Sequence, residues 1–122
     1  LLHRTARRTP DKLAVVAGDL RVTCAEFDAA VNRCAHALAE RGLAKGDRLA
    51  LLSHNCWQFA VLTFATARLG VVLVPVNFML GPDEIAFILE HSGARGIVAE
   101  DALVPTAEKA LASAGEKPAR AL

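Results

Sequence analysis

Apolar and polar positions along this 122-residue chain change period several times, and each change falls at a residue suited to a turn or a cap. Residues 2–9 read as a short helix stopped by Pro10, because the residue before a proline is pushed out of the helical region. Apolar runs at 13–17 and 20–23 flank Gly18-Asp19. A two-residue Gly-Asp link between such runs predicts a β-hairpin, since glycine accepts the positive φ of a primed turn. Phe27, Val31, Cys34 and Leu38 then recur at helical spacing and define a buried stripe. Thr23 caps that helix, Glu26 completes a capping box, and Val22 with Phe27 forms a hydrophobic staple. Asp28, Asn32, His36 and Glu40 lie mainly to the other side. Gly42 stands where a helix ends in the left-handed conformation.

From Lys45-Gly46-Asp47 onward the pattern alternates between short apolar runs and helical segments. Residues 49–52 are continuously apolar, as in a strand covered on both faces. Asn55 is the expected cap of a helix to Leu69, closed by Gly70. Residues 71–76 are a second strand, and Pro75 near its end marks a strand terminus or a sheet edge. Gly81-Pro82 opens the next helix, where Pro suits the first turn and Asp83 and Glu84 face the positive end of the dipole. Gly93 closes it, residues 97–99 are a third strand, and residues 105–114 a last helix. Strand starts near 49, 71 and 97, each separated by one helix, predict right-handed crossovers and a parallel sheet. The fold class is therefore α/β: a parallel sheet with flanking helices, a three-layer Rossmann-like subdomain, preceded by the hairpin.

Composition narrows the function more than it reveals it. A hydrophobic fraction of 53% allows a real core in one domain or part of one. With 14 basic and 13 acidic residues the formal charge is +1, which excludes an electrostatic nucleic-acid binder. Arg4, Arg7 and Arg8 read as a solvated helix face. Cys24, Cys34 and Cys56 lack metal or disulfide spacing, and read as free thiols in a reducing cytoplasm. No apolar run reaches the roughly 20 residues of a membrane span. The start without Met, and the end without a closing strand, read as cuts in a longer polypeptide.

Five stretches resemble the amino-terminal part of the adenylate-forming (AMP-binding) ligases, acyl-CoA synthetases in particular, in the family's order and spacing. They are TPDKLAVV, VTCAEF, GLAKGDRLALLSHN, ARLGVVLVPVN and LGPDEIAFILEHSGARGIV, together spanning nearly residues 9–99. The resemblance implies a parent enzyme that uses ATP and Mg²⁺ to turn a carboxylic acid into an acyl-adenylate, then transfers the acyl group to CoA. It also implies a division of the chain into an arm (1–9), an α/β unit (10–112) and a linker-like end (113–122), all within a partial domain of a larger ligase. Two positions depart from the family pattern. Cys24 stands where the family usually has Tyr. Met79 stands where many relatives carry an Arg that can approach the CoA nucleotide, and Met79 cannot supply that charge.

No residue of the chain is assigned a catalytic, cofactor-binding or metal-ligating role. A phosphate loop needs small residues with Ser, Thr or Lys, so that backbone N–H groups can approach the oxygens. Residues 42–46 read GLAKG, which has no such Ser or Thr. The fragment alone is therefore expected to be inactive, with a possible homo-oligomer as its assembly. His54-Asn55-Cys56 could suggest a nucleophile and base, but neither an orienting acid nor an oxyanion donor is evident, and a loop-and-cap role is expected. His36 and Glu40 lack a zinc-site pattern. Trp57 and Phe59 are expected to pack, and Asp83 and Glu84 to serve the helix dipole. The alternative is a stand-alone Rossmann-like module, binding a small molecule at residues 53–55, 77–81 and 100–101 after the strand ends, or binding a protein partner through open sheet edges.

Overall fold

A computed structural model describes residues 1–115 and the backbone of 120–121. These fall into two compact units, residues 1–43 with 55–69, and residues 44–54 with 70 onward.

The first unit holds α1 (Leu2–Arg8), the hairpin β1 (Leu13–Ala17) and β2 (Leu20–Thr23), α2 (Cys24–Glu40) and α3 (Trp57–Leu69). In the hairpin Ala17 pairs with Leu20, and Gly18 carries the positive φ (59°) that the two-residue turn requires. The capping box of α2 is present at both bonds. Glu26 N–H donates to Thr23 Oγ1 at 3.2 Å, and Thr23 N–H to Glu26 Oε2 at 2.8 Å. The next two orphan donors, Cys24 and Ala25 N–H, reach the carbonyls of Lys12 (2.7 Å) and Pro10 (3.1 Å). At the other end Gly42, with φ 87°, lets its own N–H reach Ala39 O and that of Leu43 reach Leu38 O, a Schellman closure. The stripe is buried at Phe27, Val31 and Leu38, while Cys34 is half-buried. Phe27 meets Phe64 of α3 edge-on, with ring centroids 5.7 Å apart.

The second unit is a parallel sheet of β3 (Arg48–Leu52), β4 (Val72–Val76), β5 (Gly96–Ala99) and β6 (Arg120–Ala121), with α4 (Pro82–Ser92) and α5 (Val104–Ser113). Strand order is β4-β3-β5-β6. Four of the five β3 residues, Leu49 to Leu52, are at most 2% exposed, so the central strand is buried on both faces. Ala50 and Leu52 of β3, Val76 of β4 and Ile97 of β5 share one core with Ile85 and Leu89 of α4 and with Ala107 and Ala110 of α5. Among the described residues no helix is long and apolar enough to cross a membrane.

Pro75 lies on the edge strand, in register with Leu51. Val72 N–H points inward, to Asp47 O at 2.8 Å. Successive strand residues direct their N–H to opposite sides. Leu73 and Pro75 therefore face the open edge, where Pro75 has no N–H to offer.

Three expectations need correction. α3 begins at Trp57, and Phe59 N–H bonds to Cys56 O at 3.1 Å, so Asn55 lies ahead of the cap position. Arg120 and Ala121 pair with Gly96 and Ile97 as a short strand, in place of the linker without a closing strand that the sequence predicts. A two-residue strand has no period to detect, and the open edge of β5 offers its backbone partners. The rest of that stretch, 116–119 and 122, lies outside the described residues. Asp28 does not lie on a solvated face: it is 8% exposed. At about 100° per residue it sits only about 20° from Ala35 and 40° from Cys24 around the α2 axis, and both of those are buried.

Candidate functional site at the carboxyl edge of the sheet

The chain leaves β3 to return on one side as β4, and leaves β5 to return on the other side as β6. Adjacent β3 and β5 thus form a topological switch point, the place where open α/β sheets receive ligands. The loops leaving β3, β4 and β5 are those at 53–55, 77–81 and 100–101.

The structure brings two of these loops into hydrogen-bond contact. Glu100 Oε2 accepts from the His54 backbone N–H at 2.9 Å and lies 2.9 Å from His54 Nδ1, with Ser53 Oγ at 3.4 Å. Glu100 N–H in turn bonds to Leu52 O at 3.0 Å. Hydrogen bonds from the His54 backbone and then its ring hold the Glu100 carboxyl below the usual carboxylate range, against a small opposing effect of burial. The third loop supplies Phe78, whose ring lies 3.9 Å from that of His54, tilted by 39°. That loop is shaped by an Asx turn, in which Met79 N–H donates to Asn77 Oδ1 at 3.0 Å. Met79 itself projects into solvent, 80% exposed.

His54 therefore does have an orienting carboxylate, 46 residues away in sequence, which adjacency in the chain could not reveal. Cys56 is exposed. Burial pushes the Cys34 thiol up. Trp57 and Phe59 are half-buried, and Phe59 lines an open groove of about 380 Å³ with Asn55, Cys56, Ala60, Thr63 and Phe64. His36 and Glu40 are exposed on α2. Asp83 and Glu84 occupy the first turn of α4, where Gly81 N–H donates to Glu84 Oε2 at 2.8 Å.

The donor set of the carboxyl edge does not suit a polyphosphate. None of residues 53–57, 77–81 or 100–103 is Lys or Arg. Among the described residues no group of three or more His, Cys, Asp or Glu is placed to hold a metal ion.

The fold is α/β with a parallel sheet, and the described loops at its carboxyl edge carry no Lys or Arg. The AMP-binding enzyme family model matches residues 2–121, and the chain belongs to that family. It is 41% identical over 100 residues to the long-chain-fatty-acid–CoA ligase FadD13 of Mycobacterium tuberculosis, a match covering 80% of this chain and 20% of that protein. It is 38% identical over 104 residues to the fatty acid–[acyl-carrier-protein] ligase ScoC of Streptomyces coeruleorubidus, covering 85% of this chain and 20% of that one. A Mycobacterium tuberculosis fatty acyl CoA synthetase structure superposes with a TM-score of 0.90 at 35% identity, covering 99% of this chain and 25% of that chain. The O-succinylbenzoate CoA synthetase of Bacillus subtilis, in complex with AMP, superposes with a TM-score of 0.86 at 29% identity, covering 99% and 30%. The chain spans about a fifth of the length of the curated relatives it matches.

Proposed function

We propose that residues 1–122 are a partial amino-terminal subdomain of an ATP-dependent acyl-CoA ligase, in which an arm (1–9) precedes an α/β unit (10–112). One observation carries this reading: nearly the whole chain superposes on a quarter of a fatty acyl CoA synthetase. The parent reaction joins a carboxylic acid to AMP with loss of pyrophosphate, then passes the acyl group to the CoA thiol. ATP, Mg²⁺, CoA and the carboxylic acid are ligands of that parent, acting in the cytoplasm.

The residues present do not fit the phosphates. The GLAKG turn lacks Ser and Thr, and the carboxyl edge lacks Lys and Arg. Stabilising charge on a transferring phosphoryl or adenylyl group takes preorganised cations or backbone donors aimed at it. The chain therefore contributes a folded wall, and no step of the reaction is assigned to its side chains. The test is pyrophosphate release by the isolated 122 residues with ATP, Mg²⁺ and fatty or aryl acids. The expected result is no release above the protein-free blank, and turnover would overturn the reading.

A further inference from the structure

Helix α1 is held to the first unit by very little. Of its seven residues only Ala6 is buried, and Leu2 is half-buried. An alanine and part of a leucine bury little apolar area, and a seven-residue helix is too short to persist alone in water. Among the described residues one side-chain hydrogen bond ties it to α2, between His3 Nδ1 and Asp28 Oδ2 at 3.0 Å. Arg4, Arg7 and Arg8 are exposed and make no ion pair among the described residues. The chain immediately after α1 is fixed much more firmly, because Pro10 and Lys12 carbonyls accept the first two N–H groups of α2. Between the two lies Thr9, at φ −138° and ψ 64°, outside both the helical and the extended regions.

From this contrast we infer that α1 is a detachable arm, which undocks as one piece about Thr9 while α2 and the 10–12 segment stay in place. His3–Asp28 is its latch. Opening leaves Asp28 Oδ2 without that partner, whereas Arg68 still holds Oδ1. The arm's release is thus separable from unfolding of the unit, and it does not depend on the ligase reading.

Hydrogen exchange followed by mass spectrometry on the 122-residue chain tests this, with wild type compared to His3→Ala. His3 is largely exposed, so the substitution spares the core. Amides of residues 5–9 are expected to exchange faster than those of 27–38 in wild type. His3→Ala should accelerate 5–9 alone, by about fivefold, the effect of one ordinary hydrogen bond. Limited trypsinolysis after Arg7 and Arg8 should rise in parallel, because cleavage follows the open population. Equal acceleration of both segments, or no change at 5–9, would overturn the proposal.

Discussion

Arg68 on α3 reaches across to Asp28 on α2, 40 residues earlier in the chain, and the same guanidinium donates to Asn32. Asp28 and Asn32 are one helical turn apart, so a single planar fork serves both. The Asp28 side chain is 11% exposed and that of Arg68 26%. Removing Arg68 leaves the buried Asp28 carboxylate with the exposed His3 as its remaining partner in this cluster. Arg68→Ala is expected to cost about 1.5–3 kcal/mol, the range for hydrogen bonds to a charged group, and Arg68→Lys to recover only part of that, because an ammonium cannot span both acceptors. Urea denaturation measures both. An Arg68→Ala variant within 1 kcal/mol of wild type, roughly the value of an exposed pair, would contradict the assignment.

The same carboxylate sets an acid limit to stability. Burial pushes the Asp28 carboxyl up, but hydrogen bonds from Arg68 and then His3, with the Arg68 charge, outweigh it and hold it below its ordinary value. A depressed carboxylate stabilises the fold above its unfolded value of about 3.9, and that contribution is lost as pH falls through the folded value. Below about pH 4 wild-type stability should therefore decline more steeply than that of Asp28→Asn, which has no proton to take up there. Urea midpoints between pH 6 and pH 3 test this, and parallel curves for the two proteins would count against it.

What could be read from the chain and what could not divide along sequence distance. The Thr23–Glu26 box, the Gly18 turn and the Gly42 closure involve residues a few positions apart, and local chemistry specifies them. The alternation of runs around 49, 71 and 97 was enough for a parallel sheet, and Pro75 correctly marked its edge. Asp28–Arg68 and His54–Glu100 are different. Each joins residues 40 or more apart, and no periodicity connects such pairs. Asp28 also sits at the border of the α2 stripe, where a polar residue reads as solvent-facing unless its partner is known.

Pro75 gives the sheet edge a testable property. An edge strand with unpaired N–H and C=O groups invites pairing with another chain, and a proline there removes a donor. Pro75→Thr restores that N–H and adds a residue that favours strands. The variant is expected to self-associate more than wild type at equal concentration, by light scattering across a dilution series. Indistinguishable scattering would show that this edge is protected by something other than the proline.

The central claim is that this chain supplies the amino-terminal wall of an acyl-CoA ligase and leaves the chemistry to residues elsewhere. A chimera tests it most directly: the segment of FadD13 that aligns with this chain is replaced by it, and acyl-CoA formation from ATP, CoA and a long-chain fatty acid is measured. A folded chimera that forms acyl-CoA is the predicted result. A chimera that folds with native-like thermal stability yet forms neither acyl-adenylate nor acyl-CoA would contradict the account.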